Sequence, residues 1–259
     1  MDSNGEAPLT NANVRDLYDS LLKSFEGSYT DQRWHSSPLD EFEYRQTARA
    51  LGKAVGNRRY RRMIEIGPGD GAWTPLLSSC AEKLHLIDQS GEMLHRAKQR
   101  MAGVSGITWE HSDFVNSKPP SENDLIVAVR CFEYFDDKNA ALRRMRELLA
   151  PTGRIIIVTK NAELLVRRPP VQRSLHQGKV SRRQMQIMVR DAGLAMEEFY
   201  PAVLRLKRSS AKARFLFDAA HRLIVSTRGA IPIPLLIRYA SESYLFKLRK
   251  VETSNWDCR

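Results

Sequence analysis

The stretch RMIEIGPGDGAWT, residues 62–74, changes abruptly from an apolar run to a loop with three glycines in five residues. The apolar run has the pattern of a buried β-strand. A glycine-rich turn directly after such a strand lets backbone amides approach a ligand closely, beside the positive end of the next helix. The turn reads GPGDG and not the GxGxxG of dinucleotide sites, and Pro68 lacks an amide proton. The stretch therefore predicts a ligand-binding strand–turn–helix unit, with a purely structural tight turn as the alternative.

Strand patterns and helical patterns alternate along the next hundred residues. One helical pattern, 90–101, begins with a capping serine, and another, 139–153, closes with proline and glycine. Apolar runs such as IIIV at 155–158 suit strands that helices cover on both faces. The alternation predicts an α/β fold with a doubly wound, mostly parallel sheet and helices on both faces. The strand patterns lie at 62–67, 83–88, 106–114, 124–132 and 153–160.

The remaining segments divide the chain into three predicted parts. A helix at 181–194 leads into a strand at 195–203, and a last strand follows at 243–250. In that last strand Tyr244, Phe246 and Leu248 alternate with more polar residues, which predicts an edge position. The predicted parts are an amino-terminal helical cap, a core of two pieces and an insertion, at 1–60, 61–203 with 243–250, and 204–242.

The composition fits a globular protein and favours a cytoplasmic location. The chain has 259 residues, of which 42% are hydrophobic, and its first ten residues lack the pattern of a signal peptide. No apolar run approaches the roughly 18 residues of a membrane span. The three cysteines are widely separated and lack the spacing of a zinc site, so we expect neither disulfides nor a bound metal.

The positive charge is concentrated in one region. Lysine and arginine number 41 against 30 acidic residues, a net charge of +11. Residues 164–238 hold 15 basic and 4 acidic residues, which is +11, so the remaining 26 basic and 26 acidic residues cancel. A region of this charge favours a polyanionic partner, either a nucleic acid or an anionic membrane surface.

Acidic residues follow the second and third strand patterns. Asp88 ends the second strand, about 20 residues after the glycine turn, where a carboxylate can accept two hydrogen bonds from a ribose diol. Asp113 and Phe114 end the third strand and offer an acceptor for an exocyclic amine beside an aromatic ring. Three successive strand ends therefore predict a nucleoside-binding site.

With these motifs the sequence resembles the class I S-adenosylmethionine-dependent methyltransferases, over residues 60–203. The resemblance implies a seven-stranded sheet whose last strand is inserted antiparallel and pairs with the sixth, so that the 204–242 segment loops out of their hairpin. The matching motifs are EIGPGDG, LIDQSGEMLHRAK, HSDF, DLIVAVRCFEYFDD, LAPTGRIIIVTK and DAGL.

The resemblance also implies S-adenosyl-L-methionine as the cofactor, with its methionine and ribose held by the first two strand ends. Glu65 would lie near the methionine amino group, and Gly67 and Gly69 would permit close approach of the backbone. Asp88 would hold the ribose hydroxyls, and Arg130 would contact the methionine moiety through its backbone.

The adenine would lie between later residues of the same motifs. Gln89 and Met93 would flank the ring, and Asp113 would accept a hydrogen bond from its N6 amine. The backbone amide of Phe114 would donate the next hydrogen bond to the ring.

Three residues are candidates for the catalytic base. Glu133 follows the fourth strand, where related enzymes often read LEH and this chain reads FEY. It could orient the acceptor or act as a base, or it could bind the cofactor amine or cap the next helix. His35 and His176 lie in segments that often cover the active site in this family, and surface histidines are the alternative.

The acceptor is predicted to be a small molecule, a class that here includes lipid-linked and amphipathic molecules. The fourth-strand residues RCFEYF lack the Asn/Asp-Pro-Pro-Tyr motif of enzymes that methylate nucleic-acid bases, so nucleic acid is the weaker prediction. The insertion 204–242 mixes basic and apolar residues, which favours a peripheral contact with an anionic membrane surface. An RNA methyltransferase and a non-catalytic cofactor-binding scaffold are the alternatives.

Overall fold

A computed structural model describes residues 15–16, 19–20, 27–164, 178–205, 211–230 and 235–251. At its centre lies a seven-stranded sheet of order β3-β2-β1-β4-β5-β7-β6. The pairs from β3 to β5 are parallel, and β7 is antiparallel to both of its neighbours. This topology confirms the predicted fold class. The strands are β1 (Tyr60–Ile66), β2 (Ala81–Asp88), β3 (Ile107–His111), β4 (Asn123–Val129), β5 (Leu149–Lys160), β6 (Leu194–Leu204) and β7 (Ser241–Lys250).

Side-chain caps fix where several of the helices begin. Ser37, Ser90, Asp137 and Ser181 each accept a hydrogen bond from the backbone amide three residues later, as N-caps do. The described helices are α1 (Tyr29–Trp34), α2 (Pro38–Val55), α3 (Thr74–Ser78), α4 (Gly91–Arg100), α5 (Lys138–Leu148), α6 (Arg182–Asp191), α7 (Ala211–Ser226) and α8 (Leu235–Ala240). Among them, none is both long and apolar enough to cross a bilayer.

The two faces of the sheet bury separate cores. Along β4, Ile126 and Ala128 belong to one core, whereas Leu125 and Val127 belong to the other. Helices α5 and α6 cover the first face, and α2 and α7 cover the second. This two-sided burial explains the continuous apolar runs of the central strands.

The predicted edge position of the last strand is wrong. β7 lies between β5 and β6, and β6 forms the edge. The polar residues that suggested an edge lie inside the sheet, and Lys247 is accommodated there because its neighbours provide partners. Lys247 donates to the backbone oxygen of Ala54 at 3.0 Å and lies 3.2 Å from a carboxylate oxygen of Glu198, and Ser243 is fully buried. The resemblance had correctly implied the antiparallel pairing of the last two strands.

Helix α7 packs against β6 and α2, on the second face of the sheet. The buried His221 donates through Nε2 to the backbone oxygen of Ala202 on β6 at 3.0 Å. Arg49 of α2 forms an ion pair with Asp218 of α7 at 2.8 Å. Helix α2, near the amino terminus, and helix α7, between β6 and β7, therefore lie side by side.

Candidate active site

The glycine turn brings the ends of β1 and β4 unusually close together. Gly67 has a φ of 62°, and a Cβ added there would lie 2.6 Å from Cβ of Cys131, which follows β4. Gly69 also lies in the left-handed region, with a φ of 58°. Larger residues would be strained in this turn, so glycine is required by both space and backbone conformation.

Asp88 joins this turn to the end of β2. Its carboxylate accepts hydrogen bonds from the amides of Gly69 at 3.0 Å and Ser90 at 2.9 Å. Burial raises the pKa of Asp88 to about 6, although these two amides favour the charged form. The carboxylate therefore faces a ligand site in a poorly solvated position.

A cavity of about 330 Å³ opens at these carboxyl ends of the strands. Most of the predicted cofactor residues line it, and they come from the ends of β1, β2, β3 and β4. Tyr29 and Trp34 of α1 line the opposite side, so α1 covers part of the cavity. The predicted residues in the lining are Gly67, Gly69, Asp88, Gln89, Met93, Asp113, Phe114 and Arg130.

Asp113 and Phe114 also have structural roles at this edge. Asp113 accepts a hydrogen bond from the amide of Val115 at 2.8 Å and so caps a short 3₁₀ turn at Phe114–Asn116. The side chain of Phe114 is buried, and its ring centroid lies 6.0 Å from that of Phe135. These contacts fix the two residues at the wall of the cavity.

Glu65 is not among the residues that line the cavity within the described chain. It lies behind the glycine turn, buried, and accepts a hydrogen bond from the Thr74 hydroxyl at 2.8 Å. Burial raises the pKa of Glu65 to about 8, a shift that the Thr74 hydroxyl opposes and the neighbouring Asp88 increases. The carboxyl is therefore mostly protonated at neutral pH.

Glu133 lines the cavity and its side chain is buried. Its Oε2 accepts a hydrogen bond from the Thr159 hydroxyl on β5 at 2.9 Å. Its Oε1 is buried and has no hydrogen-bond partner within the described residues. Such an acceptor is costly unless a bound molecule provides a donor. The alternative role as a helix cap is wrong, because Asp137 caps α5.

Of the two histidine candidates, only His35 lies within the described residues. His35 follows α1, is exposed, and packs with its ring centroid 4.9 Å from that of Tyr44. It does not line the described cavity, so its position gives the catalytic prediction no support. His176 lies outside the described residues.

A buried charge network adjoins the Glu133 end of the cavity. Arg130 has a φ of 62° and pairs through both guanidinium nitrogens with Glu242 of β7. Burial would raise the pKa of Glu242, yet Arg130 and Lys160 hold it well below its usual range. Glu43 of α2 pairs with Arg205, which follows β6. Charged groups from α2, from β7 and from the ends of β4 and β6 thus meet at one end of the cavity.

Sequence reasoning missed Asp70 and most of this network. Asp70, the polar residue of the GPGDG turn, is buried and accepts from the amide of Thr30 at 2.7 Å, so it holds the first turn of α1. The position of Asp70 inside the GPGDG motif could have identified it from the sequence. Glu43 lies between Phe42 and Gln46 on the buried face of α2, and an acid on a buried helix face would have been the signal there.

This sheet order, with a glycine turn after β1 and a carboxylate at the end of β2, defines the class I methyltransferase fold. Residues 64–155 match the family described as Methyltransferase domain. Over these residues, and in its fold, the chain is similar to the class I, Rossmann-like, S-adenosylmethionine-dependent methyltransferases.

Similar proteins agree with this class. Nodulation protein S of Bradyrhizobium diazoefficiens is 26% identical over 129 residues, which cover 49% of this chain and 62% of that protein. The match thus spans less than two thirds of this curated relative. The N-methyltransferase NodS of Bradyrhizobium japonicum WM9, solved with S-adenosyl-L-homocysteine, has a TM-score of 0.60 at 20% identity, over 91% of this chain and 98% of that one. A DhpI complex with S-adenosylhomocysteine has a TM-score of 0.61 at 16% identity, over 94% and 98%.

Proposed function

We propose that the protein transfers the methyl group of S-adenosylmethionine to a small-molecule acceptor. The observation that supports this most directly is one cavity that joins the glycine turn and Asp88 to the unpartnered oxygen of Glu133. One end of that cavity offers nucleoside-binding groups, and the other offers a carboxylate for an acceptor. The solved relatives that hold S-adenosylhomocysteine support the same cofactor.

The residues at the strand ends fit this cofactor. Asp88 would accept from the ribose hydroxyls, and the bare backbone at Gly67 and Gly69 would allow the cofactor to approach the sheet. Arg130 would face the methionine moiety through its backbone, since its guanidinium is engaged by Glu242. The adenine would lie among Gln89, Met93, Asp113 and Phe114.

Glu65 holds a different position in this proposal from the predicted one. Because it lies behind the turn and accepts a hydrogen bond from Thr74, Glu65 would support the turn. The role of Glu65 near the amino group stays a prediction.

Glu133 would orient the acceptor and take up its proton. When bound, S-adenosylmethionine supplies an electrophilic methyl carbon on a sulfonium, so the protein has mainly to align a nucleophile with it. A hydroxyl or ammonium of the acceptor would donate to Oε1 of Glu133, whose other oxygen Thr159 fixes. A proton released there would pass to the carboxylate.

The mixed lining favours an amphipathic acceptor, which includes a lipid-linked one. Trp34 and Trp73 provide apolar surface, whereas Arg33 and Lys160 provide positive charge in the same lining. An acceptor with an apolar body and a polar reacting group would match both.

Calorimetric titration with S-adenosylmethionine and S-adenosylhomocysteine tests the cofactor site. We expect micromolar binding that is lost in Asp88→Ala. Incubation of small-molecule and lipid extracts with methyl-labelled cofactor then tests transfer. Absence of binding would contradict the proposal, and binding without turnover on any extract would favour the non-catalytic scaffold.

A further inference from the structure

The outer face of α7 carries strongly exposed apolar side chains. Phe215, Leu216 and Leu223 are 74%, 67% and 58% exposed, and we call them the apolar ridge. Their spacing puts them along one stripe of the helix. The opposite stripe holds the buried Ile224 and Val225, which pack on the sheet. Helix α7 is therefore anchored on one side and presents apolar surface to solvent on the other.

A groove between α2 and α7 adjoins this ridge. It encloses about 440 Å³ and contains four guanidinium groups and one carboxylate, that of Asp218. Asp218 pairs with Arg49 and Arg222 at 2.8 Å each, so its single charge is shared between two cations. The groove thus keeps a net positive charge. We call it the arginine groove; its residues are Phe42, Arg45, Arg49, Arg214, Phe215, Asp218 and Arg222.

The groove is held in shape by a buried histidine. Burial and the neighbouring Arg49 lower the pKa of His221 to about 4, so the ring is neutral at physiological pH. Its Nε2 donates to Ala202, which leaves Nδ1 to accept from Arg49 at 3.0 Å. Helix α7 is thereby fixed to β6 and to α2, and the surface is formed before any partner arrives.

We propose that the apolar ridge and the arginine groove dock the protein on an anionic lipid surface. Exposed apolar side chains beside a cluster of arginines match the interface of such a membrane, where the side chains insert shallowly and the cations meet headgroups. Leu216 and Leu223 offer no ring on which bases could stack, which disfavours a single-stranded nucleic acid. Docking would bring the cavity to a membrane-borne acceptor, and in that respect the inference rests on the proposed function.

Vesicle co-sedimentation tests the docking surface. We expect binding to vesicles of phosphatidylcholine with about a third phosphatidylserine, at least tenfold stronger than to phosphatidylcholine alone, since each basic residue contributes about fivefold. Phe215→Ser/Leu216→Ser/Leu223→Ser should lower binding about tenfold or more. The matched control is Ile187→Ser, an exposed apolar residue of α6 on the other face of the sheet.

The charge contribution is tested with arginines of similar exposure. Arg45→Gln/Arg222→Gln should weaken binding to anionic vesicles, and Arg143→Gln/Arg190→Gln, on α5 and α6, should not. Thermal unfolding of each variant shows that it is folded. Equal binding to both kinds of vesicle, equal losses in the control variants, or arginine-dependent binding to RNA in preference to vesicles would each overturn the proposal.

Cofactor binding and docking are measured independently. Asp88→Ala should lose S-adenosylhomocysteine binding and keep vesicle binding, whereas the ridge variant should do the reverse. A failure of the docking surface therefore leaves the proposed methyl transfer intact, and a failure of methyl transfer leaves vesicle binding to be judged on its own.

Discussion

At the scale of single residues, the pKa of Asp88 is expected to make cofactor binding depend on pH. In the proposed site the ribose hydroxyls would donate to the ionised carboxylate, and burial raises its pKa to about 6 in the free protein. Protonation therefore competes with binding, and affinity should fall below pH 6 by up to about tenfold per pH unit. Calorimetry with S-adenosylhomocysteine between about pH 7 and pH 5 measures this.

Asp88→Asn serves as the control for that experiment. It should bind weakly and with little dependence on pH in this interval, where Glu65, with a pKa of about 8, keeps its proton. A wild-type affinity that is flat from about pH 7 to pH 5 would show that Asp88 does not accept from the ribose.

Glu133 is expected to act on the acceptor and not on the cofactor. Glu133→Gln keeps the shape and the contact with Thr159 but cannot take up a proton. We expect S-adenosylhomocysteine affinity within about threefold of wild type and a kcat lowered by about 10²-fold or more. Once an acceptor is identified, steady-state kinetics check this.

A large loss of S-adenosylhomocysteine affinity in Glu133→Gln would instead assign this residue to the cofactor amine. Thr159→Val provides a second variant, since it removes the hydroxyl that fixes Oε2 and leaves the carboxylate in place. It should lower kcat less than Glu133→Gln does.

At the scale of secondary-structure elements, Asp70 couples the glycine turn to α1. Helix α1 has six residues, too few to be stable alone, and Asp70 accepts from the amide and hydroxyl of Thr30 within it. In Asp70→Ala, we expect α1 to cover the cavity less tightly. S-adenosylhomocysteine should then dissociate about tenfold faster, because one buried acceptor of this kind is worth roughly 1–3 kcal/mol.

Stopped-flow release and limited proteolysis near residues 27–37 measure that change. Asp31→Ala is the matched control, because it removes an exposed acid from the same helix. If Asp70→Ala releases the ligand at the wild-type rate, α1 does not hold the cofactor in place.

Local patterns predicted most elements but misplaced one of them. The capped helices at 91–100 and 182–191 agree with the sequence, because caps and periodicity are set within a few residues. The position of β7 could not be predicted in this way, since Lys247 looks solvent-facing until Glu198 and Ala54 are placed beside it. Strand order depends on contacts between distant segments.

At the scale of the whole molecule, the buried charge network ties the amino-terminal helix to the last strands. Glu242→Ala would remove both short contacts of the buried Arg130 and leave it only the longer pair with Glu43 at 4.0 Å, so we expect a loss of roughly 3 kcal/mol in the free energy of unfolding. Chemical denaturation measures the loss. Glu197→Ala, which breaks the more exposed pair with Arg154, should cost about 0–1 kcal/mol. Equal effects of the two substitutions would show that burial does not set the importance of the Glu242 pair.

The sequence by itself determined which residues gather at the glycine turn and the end of β2, and the tertiary structure decided the surroundings of Glu133. Gly67 and Asp88 were predictable because each follows a strand directly, and parallel strands bring such positions to one edge of the sheet. The contact of Glu133 with Thr159 and the pair of Arg130 with Glu242 each join different strands. They form only because the fold places strands that are far apart in the chain side by side. The unpartnered oxygen of Glu133 and the groove between α2 and α7 likewise have no local signal. They arise from which surfaces the fold packs together, and a pattern within a few residues does not contain that information.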